Sequence, residues 1–171
     1  MHSPPFSIRN ARPDEAKDLS ELCMRSKAHW GYDPEFLEQC RASLTLTPER
    51  LIHHPARVAQ NKNGVPMGLA SFTLDPDCAK AQAEIELLFV EPDCMGMGIG
   101  RALLEDLRAI LRAKGCRQLW VLSDPGAESF YRKQGAQRIA LRPSDCIPDR
   151  SLPWLCIQLE SDSPASQAPS A

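Results

Sequence analysis

The sequence predicts a mixed α/β domain: one twisted sheet with helices on its faces, not an alternating doubly wound fold. Three observations predict it. Glu84–Lys114 reads as a buried strand, a glycine-punctuated turn and a long amphipathic helix. Just before it, two runs joined by Asn61-Lys62-Asn63-Gly64 alternate with a period of two, the pattern of a hairpin. Two segments with helical periodicity precede that hairpin. Helices and strands are therefore grouped rather than strictly alternating.

Taken in order, Phe6-Ser7-Ile8-Arg9 alternates and reads as a first strand. Pro13, followed by Asp14 and Glu15, marks a helix start, because proline suits an early helical position and acids suit the first turn. Ala16, Leu19, Leu22 and Cys23 give that helix its apolar side, and Gly31 breaks it. Asp33-Pro34 opens a second helix carrying Phe36, Leu37 and Cys40, and Thr47-Pro48 caps a further short turn before Leu51 and Ile52. Arg57 to Gln60 and Val65 to Leu74 form the hairpin strands. Pro66 must sit where no ladder N–H is needed, and Asp75-Pro76-Asp77 turns the chain again.

The strand Glu84–Val90 follows, with Gly96, Gly98 and Gly100 in the turn after it. The next helix carries Ile99, Leu103, Leu107, Ile110 and Leu111 on one face, and Lys114-Gly115 ends it. Gln118 to Leu122 is a strand, and Asp124-Pro125 caps a short helix through Phe130, Tyr131 and Lys133 that Gly135 ends. Ala136 to Leu141 and Pro153 to Leu159 are the last strands. The composition sets residues 5–160 as one domain, between a short disordered N-terminus (1–4) and a Ser/Pro/Ala-rich disordered tail (161–171).

A chain of 171 residues with 43% hydrophobic residues can bury a single core. A formal net charge of −2 without a dense basic run argues against nucleic acid or an anionic membrane as a main partner. No apolar run approaches the ~20 residues of a membrane helix, and the N-terminus lacks a signal-peptide core. Seven cysteines, without a C-x-x-C pair or metal-like spacing, suggest buried thiols in a reduced cytoplasmic protein and no metal site. His53-His54, expected on an extended segment, would point to opposite faces and reads as surface.

The glycine turn excludes two nucleotide motifs. A G-x-G-x-x-G count from Gly96 ends on Arg101, and one from Gly98 ends on Leu103. No Gly-Lys-Ser/Thr follows, so a P-loop fails as well. Bare N–H groups at a helix start beside glycines still suit a phosphate-bearing ligand. Val90-Glu91-Pro92, then Met95-Gly96-Met97-Gly98-Ile99-Gly100, resembles the acyl-CoA-binding turn (Q/R-x-x-G-x-G/A) of the GNAT superfamily of N-acyltransferases. Asp124-Pro125-Gly126-Ala127-Glu128-Ser129-Phe130-Tyr131 with Gly135 resembles that family's N-x-x-A-x-x-F-Y-x-x-x-G phrase, at the expected distance downstream. Arg150-Ser151-Leu152-Pro153 before the last strand fits as well, so the resemblance covers about Phe6 to Glu160. Met95 stands where arginine or glutamine is usual. Asp124 stands where asparagine is commoner; it can still cap a helix but brings negative charge toward the cofactor.

The resemblance implies a mostly antiparallel sheet flanked by about four helices, and transfer of an acetyl group from acetyl-CoA to a small-molecule or peptide amine. It implies that the N–H groups of Gly96, Met97, Gly98, Ile99, Gly100 and Arg101 hold the pyrophosphate, with Met95, Asp124, Ala127 and Tyr131 along the cofactor. Backbone at Leu88, Phe89 and Val90 would polarise the thioester. Tyr131 would protonate the leaving thiolate, unless it only packs beside Phe130. Glu86 or Glu84, which share one strand face, would deprotonate the amine, with Glu86 preferred as nearer the acyl end; the same two residues also fit a solvated face. Trp30 and Tyr32, in the joint between the first two helices, would offer cation–π contact to a cationic amine or simply pack that joint. Cys94, just before the helix start, sits where a thiol pKa can fall, but the family transfers its acyl group directly. A homodimer through the late strands is a further implication. An acyl-CoA sensor of the same fold without turnover remains the alternative.

Overall fold

The computed structural model describes residues 5–75 and 81–159. The expected disordered ends (1–4 and 161–171), and the Pro76-Asp77 part of the expected turn, lie outside the described residues. Among the described residues, seven strands form one sheet: β1 (Phe6–Asn10), β2 (Arg57–Asn61), β3 (Pro66–Leu74), β4 (Gln82–Val90), β5 (Gln118–Leu122), β6 (Gln137–Pro143) and β7 (Ser151–Gln158). Their order is β1-β2-β3-β4-β5-β7-β6. Only β4 and β5 run parallel, so the sheet is mostly antiparallel. The α-helices among the described residues are α1 (Ala16–Ala28), α2 (Pro34–Leu44), α3 (Pro48–His53), α4 (Ile99–Ala113) and α5 (Glu128–Lys133).

The helix starts follow from side-chain chemistry. The expected start at Pro13 is a 3-10 turn, Pro13–Glu15, that leads into α1. Glu15 turns back to accept the Arg12 N–H at 2.8 Å and pairs with Arg9. Asp33 caps α2 by accepting the Phe36 N–H at 2.8 Å, and Thr47 caps α3 by accepting the Arg50 N–H at 3.1 Å. The Thr47-Pro48 start carries α3 as far as His53. His53 and His54 are therefore exposed at a helix end rather than on an extended segment.

A core lies on each face of the sheet. On one, α4 buries Ile99, Leu103, Leu104, Leu107 and Leu111 against Ala70, Ile85, Val121 and Leu155. Each such aliphatic side chain contributes about 1.5–3 kcal/mol when fully buried. Ile110, expected on this face, is only half-buried, and Leu104 is buried in its stead. The stripe is centred on Leu103–Leu107–Leu111, with Leu104 one turn-step to its other side. On the second face, α1, α2 and α3 pack Leu19, Leu22, Cys40, Leu44 and Leu51 against Val58, Leu69 and Leu87. Among the described residues every cysteine is a free thiol, and no helix is long and apolar enough to cross a membrane.

Candidate active site

The site begins with an irregularity in β4. Ser71 of β3 pairs with Leu87, but the next residue, Phe72, pairs with Ile85, so Glu86 is an extra bulged residue. The bulge shifts the side-chain alternation. Ile85 lies in the α4-side core and Leu87 in the α1-side core, although residues two apart normally share a face. Just there β4 and β5 part company. Their parallel pairing ends at Ile85–Val121, and Leu122 pairs only with Trp154 of β7. Beyond Ile85, the edge of β4 that faces β5 has no ladder partner, and a cavity of about 580 Å³ opens between the strands.

Leu88, Phe89 and Val90 line this cavity, so their backbone borders it in a stretch where one edge is unpaired. The chain then makes a 3-10 turn at Pro92–Cys94 and swings through the glycines into α4. Gly96 and Gly98 have φ of +81° and +80°, and Gly98 is the residue immediately before α4. Side chains other than glycine enter that left-handed region at a cost, so these glycines set the angle at which α4 meets the cavity. The first intrahelical bond of α4 runs from the Ala102 N–H to Gly98 O at 3.0 Å. The N–H groups of Ile99, Gly100 and Arg101 precede it and have no intrahelical partner, with the positive end of the helix dipole behind them. Met95, Gly96, Gly98, Ile99, Gly100 and Arg101 all line the cavity, whereas Met97 is exposed and does not. Cys94 also lines it, but burial, with Glu91 and Asp93 nearby, raises its thiol pKa rather than lowering it. It closes the 3-10 turn ahead of the glycines.

Tyr131 enters from the opposite wall. Its helix α5 is held at its C-terminal end by Arg108 of α4, which donates to Gln134 O, and near its start by Arg138, which donates to Glu128. Tyr131 is 5% exposed and lines the cavity with Ala127, Ser129 and Phe130. Burial pushes its phenol pKa well above 10, so the O–H keeps its proton throughout the neutral range.

Of the two candidate carboxylates, Glu86 lines the cavity and Glu84 does not. Glu86 lies 2.7 Å from Arg50 of α3 and accepts from the Ser71 hydroxyl at 3.3 Å. Glu84 alternates with Ala83 and Ile85 of the α4-side core, and Glu86, at the bulge, reaches Arg50 of α3 on the other face. Burial raises the Glu84 pKa; Asp145 and Glu86 add to the rise and Arg142 opposes it.

Between the strand ends and α1–α2, the cavity is bounded by Ser26, Lys27, Trp30, Leu44, Leu122 and Leu152. Asp124 caps the turn after β5 by accepting the Gly126 N–H at 3.0 Å, as expected of this position. Its negative charge is matched by Lys27 at 3.1 Å and Arg150 at 3.7 Å. Burial alone would raise its pKa, but the Gly126 N–H, the Tyr32 hydroxyl and Lys27 together lower it. Trp30 lines the cavity and Tyr32 does not: Tyr32 stacks on Phe36 at 4.1 Å and gives its O–H to Asp124 at 2.8 Å. No sequence expectation attaches to Lys27, Arg50, Leu44 or Arg150. Arg150 was visible as part of the Arg-Ser-Leu-Pro phrase; the others carry no local signal. Among the described residues, no group of three or more His, Cys, Asp or Glu could hold a metal ion.

Comparison with known proteins finds relatives of this chain. An uncharacterized N-acetyltransferase of Methanocaldococcus jannaschii is 29% identical over 143 residues, 76% of this chain and 60% of that one. Serotonin N-acetyltransferase 2, chloroplastic, of Oryza sativa is 46% identical over 46 residues, 27% of this chain and 23% of that one. The chain thus spans less than two thirds of the length of either curated relative. Among solved structures, a GCN5-related N-acetyltransferase from Rhodopseudomonas palustris superposes with a TM-score of 0.73 at 22% identity, covering 93% of this chain and 98% of that one. An N-acetyltransferase from Thermoplasma acidophilum in complex with coenzyme A gives 0.67 at 17% identity, covering 90% and 98%. The sequence profile described as the acetyltransferase (GNAT) family matches residues 16–136, from the start of α1 to the residue before β6. With that match spanning most of the chain, and with the split between β4 and β5 leading into the glycine turn, this protein belongs to the GNAT acetyltransferase family.

Proposed function

We propose that residues 5–160 form an N-acetyltransferase that moves the acetyl group of acetyl-CoA to a primary amine by direct attack. One observation carries this reading: a single cavity is lined by Glu86, Leu88 to Val90, the glycine turn with the start of α4, and Tyr131. Each is a part that this chemistry needs. The turn N–H groups and Arg101 hold the pyrophosphate of the substrate, with Ala127 beside it. Met95 offers that pyrophosphate no polar side chain, so the backbone and Arg101 carry the recognition. The amine lone pair attacks the thioester carbon, and backbone on the open edge of β4 stabilises the oxyanion. When the C–S bond breaks, the thiolate takes the proton of Tyr131, and the second proton that the nitrogen sheds in becoming an amide restores the phenol. Glu86 accepts the proton that the ammonium loses, with Arg50 holding its carboxylate in place. Trp30 gives the amine side an aromatic wall.

A cytoplasmic, reducing setting fits the free thiols. A homodimer through the late strands is part of the same reading, supported by Ile139 and Leu141 exposed on the edge strand β6. The test of the activity is thiol release from acetyl-CoA with spermidine, tyramine, glucosamine 6-phosphate and a peptide with a free N-terminus. Release that depends on one of these amines supports transfer. Stabilisation by acetyl-CoA without release on any amine would favour the sensor reading.

A further inference from the structure

Two contacts, of different kinds, tie the joint between α1 and α2 to the turn after β5. The first is polar. The Asp124 carboxylate accepts from Lys27 Nζ at 3.1 Å and from the Tyr32 hydroxyl at 2.8 and 2.9 Å. The same Tyr32 oxygen accepts from Arg150 Nη2 at 2.6 Å, which brings in the loop before β7. The second is apolar and lies two residues on. A Cβ placed on Gly126 would stand 2.9 Å from Cε3 and 3.1 Å from Cζ3 of Trp30, so the indole lies directly on the glycine backbone. Sequence offers a bland reason for Gly126, since Asp-Pro-Gly is an ordinary turn phrase. The contact with Trp30 supplies a further one.

The aromatic faces of the joint are divided by these contacts. The Tyr32 ring is occupied: Phe36 stacks on it, and Lys27 Nζ and Arg150 Cζ lie 5.2 and 5.1 Å from its centroid. Trp30 is 45% exposed, and it is the aromatic of the joint that lines the cavity. The carboxylate of Asp124 is spent on the joint and neutralised by two cations, so it does not set an open negative charge against the phosphates of CoA.

We propose that Asp124 and Gly126 are positioning residues for the amine side of the site: they hold Trp30 over the cavity as a preformed wall of the acceptor pocket. This rests on the acetyltransferase reading above. An asparagine at 124 would keep the cap on Gly126 but lose the charge that holds Lys27. An alanine at 126 would leave the polar tie intact but push the indole off its seat.

The experiment compares the full-length protein with Asp124→Asn, Gly126→Ala and Lys27→Arg. Three readouts are used: amide hydrogen exchange of the segment 27–33, the thermal shift with acetyl-CoA, and KM against kcat for the panel amine turned over fastest. Exchange in 27–33 should rise about tenfold in Asp124→Asn and Gly126→Ala, while the acetyl-CoA shift stays as in the unmodified protein. The amine KM should rise about tenfold in both, with kcat changed less than about threefold. Lys27→Arg, which keeps the cation, should retain the original KM. Unchanged exchange and KM in both variants would overturn the proposal. So would a loss of acetyl-CoA binding with KM unchanged, which would make Asp124 a cofactor contact. If the unmodified protein itself gains no stability from acetyl-CoA, the acetyltransferase reading fails. The exchange data then still show whether Asp124 and Gly126 hold the joint.

Discussion

Replacing Tyr131 with phenylalanine separates chemistry from packing because of where the phenol sits. The ring is 5% exposed, belongs to the α4-side core and meets Phe130 edge-on at a centroid distance of 5.1 Å. Phenylalanine keeps all of these contacts. No hydrogen bond from the phenol to another described residue is present, so deleting the oxygen strands no partner. The stability change should stay within about 0.5 kcal/mol, which is about 2 °C or less in melting temperature for a chain of this size. The chemical cost should be much larger. A positioned general acid contributes about 10²–10⁴-fold, or about 2.7–5.5 kcal/mol of barrier. The assay is thiol release from acetyl-CoA at saturating amine, paired with the acetyl-CoA thermal shift. Turnover should fall at least about 100-fold with the thermal shift retained. Because burial raises the Tyr131 pKa above its ordinary value of 10.0, the unmodified protein should show no alkaline loss of activity from this group below pH 10. Turnover reduced less than about threefold would refute the acid role. A melting temperature lowered by more than about 5 °C would show that the hydroxyl is structural.

Three further outcomes are expected. Gly98→Ala forces a side chain into φ of +80° where nothing lies within 4 Å of the new Cβ, so its cost is backbone strain alone. That strain is about 1–2 kcal/mol, a fall of about 2–8 °C in melting temperature, and acetyl-CoA should bind more weakly; an unchanged melting temperature would contradict it. Glu86→Gln should cut turnover at pH 7 about 100-fold and leave the acetyl-CoA shift intact; full activity would move the base to Glu84, tested by Glu84→Gln. Glu15 is buried, which raises its pKa, but Arg9 and the Arg12 N–H more than offset this and the net shift is downward. A lowered carboxylate pKa gives stability that is present above the unfolded value of 4.5 and is lost as pH falls through the folded value. Glu15→Gln should therefore lower the melting temperature at pH 7 and flatten its fall below pH 4.5; a parallel acid profile would contradict this.

Much of the fold was legible because its signals are local. Asp33-Pro34 and Thr47-Pro48 are helix starts in any context, and both cap as expected. The turn between Val90 and Ile99 was readable from its glycines, since φ near +80° leaves few other choices. What was not legible depends on pairing between distant segments. The bulge at Glu86 exists only relative to Ser71 and Phe72, and the split of β4 from β5 only relative to Leu122 and Trp154. Arg50 meets Glu86, and Lys27 and Tyr32 meet Asp124, across tens of residues of chain. Cys94 shows the same dependence on surroundings: a position before a helix can lower a thiol pKa, but partial burial with Glu91 and Asp93 raises it here.

The central claim is that the cavity between β4 and β5 binds acyl-CoA, and the melting temperature with and without acetyl-CoA tests it most directly. At about 100 times its dissociation constant the ligand should add about 2.7 kcal/mol, a rise of about 5–11 °C for a chain of this length. CoA should give a comparable rise, and NADH none, since the turn lacks the dinucleotide spacing. No rise with millimolar acetyl-CoA or CoA, or an equal rise with NADH, would contradict the claim.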